Sequence, residues 1–151
     1  LAIPEIPTLA GEPCEHECAT GCAIYETRPS RCRGFRCAWL DGWGAKGDDR
    51  PDRLGWLAYV DRYPEFNVAA GGGSKSGNII IVRETRQGAL QESRFAEALR
   101  DWMHRGSAVM VQERDQEGAQ WITLYGPRIP KGVRVSRDEV ERNSTAPSRS
   151  G

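Results

Sequence analysis

The chain has 151 residues, 21 basic and 21 acidic, an apolar share of 38%, 17 glycines and 9 prolines. That length suits one domain, or one domain with an irregular appendage. The balanced charge excludes a global field favouring nucleic acid, an anionic membrane or an acidic substrate, and the longest apolar runs, Ile79 to Val82 and Ala108 to Val111, are far too short to span a bilayer.

Residues 1–13 read as an extended lead-in punctuated by proline. Leu1 to Gly11 has no basic n-region and no continuous apolar run, so it does not read as a signal peptide. A cytoplasmic protein is expected, with its thiols kept reduced. Residues 14–44 hold all five cysteines, which lie between Cys14 and Cys37, and end with Trp39 and Trp43. Asp48 to Asp52 is a polar turn. Leu54 to Val60 (LGWLAYV) is apolar and short, and its periodicity suits a strand or a short helix equally. Gly71 to Gly77 (GGGSKSG) is a flexible connection. It fails as a phosphate loop, because Ser74 stands where glycine must precede Lys75 and the apolar strand follows the loop.

From there the pattern is clearer. Asn78 to Arg83 is a β-branched, buried strand. Gln91 to His104 places Phe95, Ala98, Leu99 and Trp102 on one face of an amphipathic helix that Gly106 ends. Ser107 to Glu113 and Gln120 to Tyr125 are strands joined by a hairpin connection, Arg114 to Ala119. Residues 50–133 are therefore expected to form the α+β part, and 134–151 a polar, disordered tail. The expected fold class is α+β. An irregular, metal-bound, Cys-rich N-terminal segment packs on a small antiparallel sheet with one main helix, in the order β-α-β-β.

The cysteines are spaced Cys14-x3-Cys18-x3-Cys22-x9-Cys32-x4-Cys37, with His16 inside the first interval. Thiolate and imidazole are ligands that zinc, iron and iron–sulfur clusters prefer. A metal is gripped by two ligands close in sequence and closed by a second pair across a loop. Cys14 with Cys22 can form one half, and Cys32 with Cys37 the other. Arg33 and Arg36 favour thiolate at the second pair. Disulfides suit the pattern poorly, since five is odd and the compartment is reducing. The spacing of three and three also departs from the three-then-two loop of radical iron–sulfur enzymes. Elsewhere, His104 reads as a charge at a helix C-terminus, and the scattered acids, Asp48, Asp49, Asp61 and Glu65, form no dyad fixed by local spacing.

The run Gly21 to Leu40, GCAIYETRPSRCRGFRCAWL, resembles the signature of the YkgJ-like cysteine-cluster family of zinc- or iron-chelating domains. Cys14 and His16 match its opening, Cys22 its middle cysteine, and Cys32 and Cys37 its closing pair. Ile24, Tyr25, Arg28, Pro29, Phe35 and Trp39 match the residues between. Arg50 to Gly55 (RPDRLG) resembles a segment that follows the cluster in relatives. Cys18 has no firm place in that pattern, and the further Cys-rich stretch of longer members is missing.

The expected ligands are Cys14, Cys22, Cys32 and Cys37, with Cys18 and His16 in reserve. Tyr25, Phe35 and Trp39 are expected to cap the sulfurs against water. The expected cofactor is a zinc or iron ion, with an iron–sulfur cluster as the alternative. The cluster is then structural or chelating. The competing functions are a redox protein or enzyme using the cluster catalytically, and a metal-stapled interaction module displaying Trp39, Trp43 and Trp56. The only partner the residues name is a metal ion, with neither nucleic acid nor membrane expected.

Overall fold

The computed structural model describes residues 14–19, 21–44, 47–62, 69–73, 77–136 and 138. The lead-in, residues 139–151 of the tail, and residues 74–76 of the glycine-rich connection lie outside the described residues. The chain divides into two units, Leu1–Arg36 and Cys37–Gly151.

The first unit is built from very short pieces. Strands β1 (Glu17–Cys18) and β2 (Gly21–Cys22) pair antiparallel, Glu17 opposite Cys22 and Cys18 opposite Gly21. A single 3-10 turn follows at Tyr25–Thr27, and a five-residue helix, α1, at Ser30–Gly34. Pro29 immediately precedes α1, in extended conformation at φ −52° and ψ 154°. Among the described residues 14–36 no side chain is buried.

The second unit is α+β, with a five-stranded, mostly antiparallel sheet. Its elements are α2 (Pro51–Leu54), β3 (Trp56–Arg62), β4 (Asn78–Glu84), α3 (Ser93–His104), β5 (Ala108–Arg114), β6 (Gln120–Gly126) and β7 (Ile129–Ser136). The strands lie in sequence order, β3-β4-β5-β6-β7. Of the two readings of Leu54 to Val60, the strand holds from Trp56 onward, and only Leu54 belongs to a helical turn, one that begins upstream. Pro51 opens a helical turn, as proline does at a first helical position. Gly55, at φ +73°, ends the turn by donating its N–H to the Pro51 carbonyl. The chain then extends into β3, which pairs with β4 from Trp56–Glu84 to Arg62–Asn78. A side chain at Gly55 would sit 2.8 Å from the Ala89 methyl and from the Arg86 Nε. Glycine is therefore required there by space as well as by backbone conformation.

The sheet departs from the expected antiparallel form at one pairing. β4 and β5 run parallel, Ile79 beside Ala108 through Arg83 beside Gln112. The helix between them carries the chain back to its starting end, and a crossover of that kind yields parallel neighbours. The other three pairings are antiparallel. The expected helix and the three strands around it are present. β7 continues through Arg134 to Ser136, residues that their polar character assigned to the tail.

Phe95, Ala98 and Trp102 of α3 are buried, and Leu99 packs beside them. They cover Trp56, Ala58, Val82, Val109 and Val111, which the strand registers place on one face of the sheet. Trp56 is central: its ring lies 5.7 Å from Phe95, 6.0 Å from Trp102 and 5.5 Å from Trp43, all tilted or edge-on. Such pairs contribute about 0.5–1.5 kcal/mol each beyond the area they bury.

The β5–β6 connection is held by one carboxylate. Asp115 Oδ1 accepts the backbone N–H of Glu117 at 3.0 Å and of Ala119 at 2.8 Å, and Oδ2 accepts the Trp121 indole N–H at 2.9 Å. The indole first, and then the backbone donors, hold the Asp115 carboxyl below its usual range. A depressed folded value means the loop gains stability above the ordinary carboxylate range, about pH 4. That contribution is lost as pH falls through the folded value. The Trp121 indole N–H resonance is accordingly expected to titrate with a midpoint below about 4, and to stop titrating in Asp115→Asn. A midpoint at or above the ordinary value would contradict this account.

Candidate metal centre

Four of the five cysteines belong to the first unit. Cys14 opens the turn before β1, its carbonyl accepting the Glu17 N–H at 2.9 Å. Cys18 ends β1 and Cys22 ends β2. Cys32 lies in the middle of α1. Cys18 and Cys22 are exposed, Cys14 and Cys32 half-buried, and none of the five is in a disulfide.

The β1–β2 register separates two of the thiols. Cys22 lies opposite Glu17, the residue before Cys18. Side chains alternate between faces along a strand, and directly opposed residues share a face. Cys18 and Cys22 therefore project from opposite faces of the hairpin, and one ion cannot take both without a change of register.

His16 is half-buried; its carbonyl accepts the Ala23 N–H at 2.9 Å, and its ring Nε2 stands 3.7 Å from the Glu15 carboxylate. Tyr25 is the first of the aromatics expected around the sulfurs. It is 58% exposed, with the Arg28 guanidinium over its ring at 3.7 Å and the Arg28 Nη1 donating to its carbonyl. That pair spans the Tyr25–Thr27 turn, which lies between Cys22 and Cys32.

Cys37 is the first residue of the second unit and is buried. The turn it begins is tied to the sheet. The Ala38 N–H donates to the Ala58 carbonyl at 2.7 Å, the Asp41 N–H to the Cys37 carbonyl at 3.2 Å, and the Trp43 N–H to the Ala38 carbonyl at 2.9 Å. The Trp43 ring then packs on Trp56 and, at 5.2 Å, on Trp102.

Behind Trp43 lies a group that no local spacing announces. Asp49 is 4% exposed. Its two carboxylate oxygens take the Nε and Nη2 of Arg94, each at 2.6 Å. The Arg94 guanidinium also lies 5.3 Å from the Trp43 ring centre. The Asp49 carboxylate raises the Arg94 pKa above its already high ordinary value, mainly by that hydrogen bond. Forty-five positions separate the two partners, so only the tertiary fold pairs them.

Among the described residues, no three Cys, His, Asp or Glu side chains converge as a set that could hold an ion. The donor chemistry suits a soft or borderline metal: four thiols within residues 14–36, and a fifth at position 37. Also among the described residues, no helix is long and apolar enough to cross a membrane. The chain matches no family model, no curated protein and no solved structure.

Proposed function

We propose that this chain is a metal-binding protein whose cysteines hold one zinc or iron ion in a structural or chelating role. The observation that carries the reading is the make-up of residues 14–36. They contain four cysteines, no disulfide and, among the described residues, no buried side chain. A segment without a core of its own is stabilised by a cross-link or by a metal. Its likeness to the YkgJ-like cysteine-cluster family points the same way.

The ligands in this reading are Cys14, Cys22, Cys32 and Cys37. The opposite facing of Cys18 and Cys22 argues against one ion taking both, and Cys22 is kept because the family resemblance matches it and gives Cys18 no place. Cys37 is included because it is only five positions from Cys32 in sequence. Thiolate ligands imply a reducing compartment, and the cytoplasm is the natural one. A bound ion would supply the ordering that hydrophobic burial does not, so its binding energy acts as folding energy for the N-terminal segment.

For the interaction-module alternative Trp56 is not available, being 2% exposed, while Trp39 and Trp43 are half-buried. The deciding measurement is elemental analysis with a visible spectrum on protein purified without oxygen. About one zinc per chain and no colour is expected for a closed four-thiolate site. Iron with sulfide and a brown spectrum would replace this reading by an iron–sulfur protein, and protein without metal would end both.

A further inference from the structure

We propose that Arg83 and Gln112 form a binding site for an organic carboxylate with an apolar body, on the face of the sheet turned away from α3. The inference is independent of the metal-binding reading, and every residue it uses belongs to the second unit.

The strand registers set the site out as a row. Leu57 of β3 lies beside Arg83 of β4, Arg83 beside Gln112 of β5, Gln112 beside Ile122 of β6, and Ile122 beside Val135 of β7. Paired residues share a face, and successive residues alternate between faces. The chain neighbours Trp56, Val82 and Val111 pack under α3, so the Arg83 row stands on the opposite face. The next row along is Tyr59, Ile81, Met110, Leu124 and Val133. In it Tyr59, Ile81 and Met110 are buried. All five members of the Arg83 row are half-buried. The guanidinium is thus set among apolar side chains and still within reach of solvent.

Its charge is not matched there. Arg94 and Arg134 each meet a carboxylate at 2.6 Å, that of Asp49 and that of Glu113. Arg83 meets a neutral amide instead, its Nε donating to Gln112 Oε1 at 2.7 Å. The guanidinium carbon lies 6.0 Å from the centre of the Tyr59 ring. Among the described residues, neither Nη of Arg83 has a hydrogen-bond partner, and no carboxylate lies within ion-pair distance. Gln112 turns its own amide nitrogen to Met110 Sδ at 3.6 Å, and a thioether sulfur is a weak acceptor.

A partly desolvated cation with only a neutral partner carries a cost that an anion offsets. The two Nη groups present the planar fork that a carboxylate meets with both oxygens, and the Gln112 amide stands beside them as a further donor. One guanidinium balances one negative charge. Leu57 on one side, with Ile122 and Val135 on the other, supplies apolar surface for the rest of the ligand.

The test is an NMR titration of the isotope-labelled full chain with octanoate, kept below its micelle concentration. Octanol and octylammonium serve as the neutral and cationic counterparts. Arg83→Gln and Gln112→Ala are titrated alongside, with Lys131→Gln as a control at an exposed position of β7. Octanoate is expected to give saturable shifts at the Arg83 Nε–H and at the Leu57, Gln112 and Ile122 amides, where octanol and octylammonium give none. Arg83→Gln is expected to weaken binding by about tenfold or more, Gln112→Ala by a smaller factor, and Lys131→Gln not at all. N-acetyl-alanyl-leucine and its amide separate two sources of the same chemistry. A free-acid peptide that binds more tightly than octanoate supports the site with a chain terminus as its ligand, and the reverse order supports it with a free organic acid.

Equal shifts with octanol, undiminished octanoate binding in Arg83→Gln, or no saturable shift with any carboxylate would each overturn the proposal. If circular dichroism shows Arg83→Gln unfolded, the comparison of octanoate with octanol on the wild-type chain decides alone.

Discussion

Replacing Cys32 by serine is expected to remove most of the bound metal, whereas Cys18→Ser leaves metal content nearly unchanged. Serine is not deprotonated near neutral pH and binds soft or borderline ions poorly, so each ligand substitution deletes one thiolate bond. Structural zinc sites bind with about 10–16 kcal/mol. One thiolate of four then represents on the order of 3 kcal/mol, roughly two decades of affinity. Cys22→Ser and Cys14→Ser should follow Cys32→Ser. Cys18 differs because it has no place in the resembled ligand pattern, and the hairpin register sets it on the face opposite to Cys22.

A companion result concerns chelation. Stripping the ion should expose residues 14–36 to proteolysis, since no described residue there is buried. The five-stranded sheet should persist, because its own core of Trp56, Val82, Phe95 and Trp102 needs no metal. Elemental analysis of the cysteine variants, and limited proteolysis with circular dichroism before and after chelation, measure both. Equal metal loss in Cys18→Ser and Cys32→Ser would refute the choice of ligands. An unchanged cleavage pattern after chelation would refute the ordering role.

The second large effect belongs to the Asp49–Arg94 pair, and it is asymmetric. The Asp49 side chain is 5% exposed and that of Arg94 38%. Arg94→Ala leaves a carboxylate in the interior without its guanidinium. Breaking a buried ion pair from one side costs about 3–5 kcal/mol. The lower end suits a pair with one partner at the surface, so a loss of about 3 kcal/mol is expected. For a unit of this size that lowers the melting temperature by roughly 10 °C. Asp49→Asn leaves a guanidinium that reaches water and an amide oxygen that still accepts a bond, so its cost is expected near 1 kcal/mol. Thermal unfolding of the two variants and of the double substitution measures the coupling. Equal costs, or a double variant whose cost is the plain sum, would show that the pair contributes no coupling energy.

Much of the second unit was legible from residue pattern. The β-branched run at Asn78, the 3.6-residue stripe from Phe95 to Trp102 and the Gly-containing turn after Arg114 each specify an element by local physics. Two features were not legible for identifiable reasons. Leu54 to Val60 satisfies both periods over its few residues, and only the left-handed Gly55, which ends the Pro51–Leu54 turn, together with pairing to β4 makes it a strand from Trp56 onward. Ile129 to Ser136 carries Pro130, Lys131 and Arg134, residues that suit an edge strand; no strand was read there, and its last residues, Arg134 to Ser136, look like tail when read alone.

For the candidate site, the sequence by itself determined which donor types are present: five cysteines and a histidine crowded between Cys14 and Cys37, whose chemistry would suit zinc or iron. Ligand type is a property of the residue and survives in a linear string. The tertiary structure alone decided that Cys18 and Cys22 face apart, that Cys37 stands on a turn anchored to the sheet, and that Asp49 is buried against Arg94. Those depend on strand register and on contact across forty-five positions, and local spacing carries no information about either.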